Sequence, residues 1–510
     1  MPLFGKKRTA APEAQDSGEA VQVKRKRKLG NVGTIFAAGS AMFSDGYSNA
    51  SMGPVKTILK VKYGTAVTSE DVSLLSAMTF MGMIVGMFSF GYISDKVGRK
   101  VGMYICTALI FIFSILSAVS GAGGASVRVK INSIIAFRTL LGVGLGGEYP
   151  SGSVTAAEAT ENNGVKKKSQ QRLFVWATNT MLDIGFPMAW FVALVLLWIF
   201  GTDHLAAVWR GTFLLGAVPP LVLLIARIWM VEPELYTKNN MKRAPIPYWL
   251  LIKRYWFRLV GICIVWFIYD WITYPFGNYA DVITKNVKPN MTLYETLGWG
   301  CLINAFYVPG TIVGSLIVDY LGPKYTLILG FVMQAVFGFA LSGAYNSLTK
   351  NSIAGFAVMY GIFLSWGEVG PGNNLGLLAT KAISPTAARG QLYGIAAAIG
   401  KVGAFIGSYT FPQIQASFDK KGQYLSDTGV FWVGSSLAIF AALVAFITIP
   451  NIGADWMHNE DIEWRAYLEH HGYDTSHMGT EEHVDEEAKI AAENGKSSDN
   501  AVVHTVPVAQ

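Results

Sequence analysis

Asp95-Lys96-Val97-Gly98-Arg99-Lys100 returns 224 residues later as Asp319-Tyr320-Leu321-Gly322-Pro323-Lys324. Each copy follows a long apolar run and precedes another. Glycine permits the tight turn that such a junction needs. The aspartate and the cations are suited to holding neighbouring helix ends. One Asp-x-x-Gly-x-Lys loop is an ordinary charged connection. Two in matching places predict a duplicated bundle. Asp95, Gly98, Arg99, Lys100, Asp319 and Gly322 are therefore candidate gating and structural residues.

Outward from these loops the chain is apolar. Of 510 residues, 52 % are hydrophobic and only 15 % charged, and the mean hydropathy is +0.36. A soluble chain carries about 25 % charge, so much of this surface is expected to meet lipid. The 54 glycines suit close helix approach and the 14 tryptophans suit the headgroup level. A membrane-crossing helix takes about 20 mostly apolar residues. Such runs fall near 31–53, 72–94, 101–121, 131–157, 172–200 and 208–230, then near 259–281, 296–319, 325–346, 352–380, 389–413 and 428–450. The predicted fold is all-α, with twelve membrane helices in two pseudo-symmetric bundles of six.

The domain plan follows: a basic tail over 1–30, a first bundle over 31–230, a linker over 231–258, a second bundle over 259–450 and a polar tail over 451–510. Basic residues gather in loops after even-numbered spans and in Lys24-Arg25-Lys26-Arg27-Lys28. The positive-inside rule makes that side, and both termini, cytoplasmic. Lys56, Lys60 and Lys62 run against the trend in the loop expected after the first span. In the acidic tail, Trp456, Trp464 and Tyr467 are placed to pack on the membrane surface. No apolar stretch with a cleavage site precedes the first run, so no removable signal is expected. The net charge of +7 reads as a topology signal rather than a nucleic-acid footprint. Cys106, Cys263 and Cys301 lie in apolar runs with no metal or disulfide spacing. No nucleophile–base motif, phosphate loop or metal cluster appears. An enzyme, a cofactor and a metal are not expected, and the partners expected are a small anion, protons and lipid around a monomer.

Ionisable groups inside spans cost about 2.5–3.5 kcal/mol each on insertion scales and persist where they face a cavity or a partner. Asp45 lies mid-span, Arg138 and Glu148 share the fourth span, Asp183 lies in the fifth, Asp270 in the seventh and Lys401 in the eleventh. Glu368 opens a polar break, Glu368-Val369-Gly370-Pro371-Gly372-Asn373-Asn374, in the tenth. Trp266, Asp270 and Tyr274 are spaced i, i+4, i+8 and share one helical face. Such a stripe either grips an oxyanion or forms a helix–helix seam. Lys401 is the natural counter-charge to Asp270, and an arriving anion and proton would neutralise the two. At the basic side, Glu158, Glu161 and Arg172 are placed to form a latch with the Asp95 loop.

Gly91-Tyr92-Ile93-Ser94-Asp95-Lys96-Val97-Gly98-Arg99-Lys100 resembles the signature loop of the major facilitator superfamily. Phe137-Arg138 through Gly146-Gly147-Glu148-Tyr149-Pro150 resembles the fourth span of its phosphate:proton symporter branch. That resemblance implies that Tyr149, Trp266, Asp270, Tyr274, Asn373 or Asn374, and Lys401 surround the substrate. It implies that Asp45 and Glu148 serve the proton route; Asp270, in the polar stripe, is itself placed to exchange a proton. Two departures stand out. Glu148 replaces the usual aspartate, and Asn179 and Asp183 occupy the region of a glutamine ligand. An extra carboxylate repels a dianion but suits the hydroxyls of a singly charged phosphodiester, so Asp183 is added to the substrate set. Phe43-Ser44-Asp45-Gly46-Tyr47-Ser48-Asn49 and Gly370-Pro371-Gly372-Asn373-Asn374 are similar to fungal glycerophosphoinositol and glycerophosphocholine permeases. The implied function is proton-coupled import of such an anion across the plasma membrane. Inorganic phosphate, a monocarboxylate, a sugar, or a non-transporting nutrient sensor are the alternatives.

Overall fold

The computed structural model describes residues 30–478, apart from 163–164, 243–244, 281–282, 285–287, 289, 351–352 and 477. The 24–28 basic cluster and the far acidic tail lie outside the described residues. The described residues form helices joined by short connections, with no strand among them, and eleven of the helices are long and apolar enough to cross a membrane. They include Ser69–Lys96, Arg99–Ala118, Tyr248–Asn278 and Pro323–Gly343.

The first predicted span departs from this pattern. It breaks after Asn31–Gly39 and resumes as Met42–Tyr63. That second helix buries Ser44, Asp45, Ser48, Asn49, Ser51 and Lys56. It is too polar to face lipid and instead packs inside the bundle against Asn179–Phe200. Gly46 makes this approach possible, because a Cβ there would lie 1.9 Å from the Leu182 carbonyl oxygen. The helix also runs on to Tyr63, so Lys56 is not in a loop. Its ammonium sits 3.5 Å from the centre of the Tyr279 ring, buried where the two halves meet.

The duplication is physical as well as textual. Thr68 caps Ser69–Lys96 in a reciprocal box with Asp71, and Thr292 caps Leu293–Ala305 in the same way with Glu295. These boxes are also 224 residues apart, and each satisfies backbone donors that a helix start leaves open. Gly98 and Gly322 precede the next helices with φ of +149° and +82°, a region closed to side chains. The fourth and tenth spans each contain one π-helical segment, Tyr149–Ser153 and Glu368–Gly372. The sequences there, Gly147-Glu148-Tyr149-Pro150 and Gly367-Glu368-Val369-Gly370-Pro371, are a second repeat. Prolines at these places remove backbone donors and favour such wide turns.

Two other expectations change. The seventh-span helix starts at Tyr248, so Arg254 and Arg258 belong to it rather than to a free linker. Trp456–His470 forms a helix that packs on protein, not on the membrane surface. Its Trp464 is buried against Tyr255, and its Glu460 accepts bonds from Tyr255, Arg254 and Arg258.

Gly98→Ala and Gly322→Ala are each expected to cost about 1–3 kcal/mol and to lower the melting temperature of the purified protein. Gly298→Ala, where added bulk meets open space, is the control and should leave it unlowered.

Candidate functional site

The halves meet along Ser69–Lys96 with Arg389–Asp419, and along Asn179–Phe200 with Leu293–Ala305 and Tyr307–Leu321. Between these seams lies a cavity of about 50 Å³ lined by Tyr149, Asn179, Trp266, Tyr269, Asp270, Tyr274, Asn373, Tyr393 and Lys401, among others. That space holds a few water molecules. The arrangement is closed around its centre, and a metabolite would need one end to open.

Lys401 stands at the middle. Its ammonium donates to Asp270 Oδ2 at 2.9 Å and to the Tyr274 hydroxyl at 2.7 Å. It lies 5.1 Å from the centre of the Tyr149 ring. Lys401 and Asp270 are each 1 % exposed. A pair this deep is held by geometry rather than by water, and removal of either member strands a charge. Trp266 lies beside the same carboxylate. The Tyr149 hydroxyl donates to Asp45 Oδ2 at 2.6 Å, and Asn49 holds Asp45 Oδ1. An acid of the first half thus reaches, through one phenol, the cation of the second. The sequence stripe Trp266–Asp270–Tyr274 does face this cavity, together with Tyr149, Asn373 and Lys401.

Four expected residues sit elsewhere. Asn374 points away and donates to the Gly370 carbonyl. Asp183 lies behind Asn179, fully buried and off the cavity wall. Glu148 is gripped by both terminal nitrogens of Arg227, at 2.6 and 2.7 Å, with Thr107 on the same oxygen. Arg138 donates to the Ser48 carbonyl and stacks on Phe213.

The basic end carries a network of ion pairs and hydrogen bonds between the halves, where the latch was expected. Glu158 receives Arg99 at 2.8 Å and Arg389 at 3.1 Å. Asp95 accepts from Arg99 and from the backbone N–H groups of Gly390 and Gln391, both at 2.9 Å. This carboxylate of the first half therefore caps the start of the eleventh-span helix. The second copy mirrors it: Asp319 pairs with Arg172 at the start of the fifth span, at 3.5 Å. Glu161 pairs with Lys381. Lys100 donates to the Met230 carbonyl instead of joining the latch. Asp461 of the tail helix accepts from Thr386, and burial pushes its carboxyl above the usual carboxylate range despite nearby Arg389. The opposite end is aromatic: Trp190 fills the space against Gly300, and Lys56 covers Tyr279.

Reading the sequence alone missed Arg227, Arg389, Tyr269 and Tyr393. Arg227 and Arg389 stand at span ends, where a cation looks like a topology signal. Tyr393 lies in a Gly- and Ala-rich stretch, where a buried phenol is a usable cue.

The model of the Major Facilitator Superfamily matches residues 35–408. The chain is 43 % identical to a glycerophosphocholine permease of Candida albicans, over 90 % of this chain and 86 % of that one. It is 40 % identical to a glycerophosphodiester transporter of Candida albicans, over 96 % and 92 %. Its fold matches a sugar-bound structure of the proton:xylose symporter XylE with a TM-score of 0.70 at 17 % identity, covering 84 % of this chain and 98 % of that one.

Arg227→Leu leaves the Glu148 carboxylate buried and alone. It is expected to destabilise by about 3–5 kcal/mol, read as a lower melting temperature, and Arg227→Leu with Glu148→Leu should recover much of the loss.

Proposed function

The chain belongs to the major facilitator superfamily, and from that premise we propose that it imports a glycerophosphodiester together with protons by alternating access. The observation that carries this reading is the Lys401–Asp270–Tyr274 contact, joined through Tyr149 to Asp45. A buried ammonium attracts a phosphate diester, and the diester's arrival frees Asp270 from its cation. A monoanionic phosphodiester group and a proton arriving together leave no net charge at the Lys401–Asp270 pair, whereas either alone adds one. That symmetry of charge is the physical root of coupling.

Tyr149, Trp266, Tyr274, Asn373 and Lys401 hold the phosphate in this scheme, and Asp45 and Asp270 carry protons. Glu148 is held by both terminal nitrogens of Arg227 and supports the fourth-span helix. Phosphate dianion is disfavoured because Asp183 and Glu368 stand just behind Asn179, and a monoanionic diester meets less repulsion there. The relatives' names, glycerophosphocholine permease and glycerophosphodiester transporter, support the same substrate class.

The latch end faces the cytoplasm on this reading, as do both tails, and the monomer sits in the plasma membrane. Opening the aromatic end admits substrate. Breaking the Glu158 and Asp95 contacts releases it inward, with the halves rocking about the central site. Trp456–His470 travels with the second half, through Arg254 and Arg258, and closes over Thr386.

Lys401→Ala and Asp270→Asn are expected to reduce uptake of labelled glycerophosphocholine at least a hundredfold while surface expression persists. Normal accumulation in both variants rejects the site. Glu158→Gln should raise basal leak through the latch without abolishing substrate binding, as read by efflux from preloaded vesicles.

A further inference from the structure

The fifth and tenth spans bring together two buried carboxyl groups that stand off the cavity wall. Asp183 comes from the first half and Glu368 from the second, and they are 0 % and 1 % exposed. They lie within hydrogen-bonding reach of each other. No arginine or lysine forms an ion pair with either among the described residues. Glu148, Asp270, Glu158 and Asp95, by contrast, each have a cation.

The donors around the pair do not suffice. Asn179 Nδ2 has two protons and faces Asp183 Oδ2 at 2.9 Å, Glu368 Oε2 at 3.0 Å and Asn373 Oδ1 at 3.0 Å. The Tyr269 hydroxyl donates to Glu368 Oε1 at 2.6 Å, and the single Thr311 proton is divided among Asn373 Oδ1 at 2.6 Å, the Thr180 hydroxyl at 3.1 Å and Asp183. Asp183 Oδ1 is fully buried and has no partner. A carboxylate only accepts, whereas a carboxylic acid also donates. One proton between the two groups supplies the missing donor and removes the repulsion of two adjacent anions.

We infer that Asp183 and Glu368 form a proton-binding site shared by the two halves, distinct from the anion site, which assembles when the halves close and holds them together only while the proton is present. This rests on the proton-coupled reading above and extends it by one proton. Asp183, Asn179 and Thr180 come from the first half; Glu368, Tyr269, Thr311 and Asn373 come from the second. Thr180 and Thr311 also bridge the halves at 3.1 Å. Separation of the halves therefore dismantles the whole cluster, wets both carboxyls and releases the proton. The other titratable groups acting on the pair are Asp270 and the phenols of Tyr269, Tyr274 and Tyr307. Asp270 is already neutralised by Lys401, and the phenols serve as neutral donors, so no neighbour supplies the charge that the proton supplies.

A single amide reproduces the hydrogen bonds and the net charge of the singly protonated pair. Glu368→Gln and Asp183→Asn, in proteoliposomes with a lumenal pH dye and labelled glycerophosphocholine, should each move about one proton fewer per substrate. Accumulation driven by a one-unit pH gradient should fall about tenfold, the factor carried by one coupled proton. Substrate exchange, which needs no net proton movement, should continue. An unchanged ratio in both variants overturns the inference, as does wild-type transport that follows sodium instead of protons. Wild-type protein that accumulates no glycerophosphocholine overturns the proposed function itself, a separate result. If neither variant reaches the membrane, infrared spectra of the wild type decide. A carbonyl band of a protonated buried carboxyl at neutral pH supports the site, and its absence overturns it.

Discussion

Charge inside a low-dielectric bundle must be answered by charge or by a proton, and that constraint organises this molecule. Lys401 and Asp270 answer each other at the centre. Glu148 and Arg227 do so one helix away. Asp45 is held by Tyr149 and Asn49 instead of a direct ion pair. Because a stranded charge costs several kcal/mol, the packing of the helices around these groups is specified far more tightly than apolar contact alone would demand. The polar helix Met42–Tyr63 is the clearest consequence. It carries too many polar side chains to meet lipid, so it is driven inside and becomes the wall on which Asp45 sits.

The two ends of the bundle are closed by different chemistry. At one end carboxylates meet guanidiniums and open helix starts, as Asp95 does with Gly390 and Gln391. At the other end rings meet glycines, as Trp190 does with Gly300. Ion pairs and caps break in discrete steps and are readily replaced by water. Aromatic plugs slide over small residues. The proposed alternating access would break one kind of closure at a time while the other holds. The π-helical turns at Tyr149–Ser153 and Glu368–Gly372 lie at the depth of the central cavity.

Most of the architecture was legible because lipid writes a plain signal. Long apolar runs and the duplicated Asp-x-x-Gly turn specify both bundles and their relation. The contact of Lys401 with Asp270 was legible for a related reason: few charges lie inside spans, so each has few candidate partners. Other features needed coordinates. The sequence shows Asp183 and Glu368 as separate acids, and only the packing of the fifth span on the tenth makes them a pair. Arg227 sits beside a polar linker, where its charge reads as orientation and not as the counter-ion of Glu148. Tyr269 lies one position from Asp270 but on another face of the helix, so a periodicity that selects Trp266 and Tyr274 passes it over. The first span was misjudged for a physical cause, since a buried polar helix carries no hydropathy signal to mark where it ends.

The central claim is that a singly charged phosphodiester and protons share the site around Lys401 and Asp270. Purified protein in liposomes under an imposed proton gradient tests it most directly, with labelled glycerophosphoinositol, glycerophosphocholine, phosphate, lactate and glucose compared side by side. The account predicts accumulation of the glycerophosphodiesters, collapse of that accumulation on adding a protonophore, and none of the other three solutes concentrated. Preferential accumulation of inorganic phosphate, or diester uptake indifferent to the gradient, would contradict it.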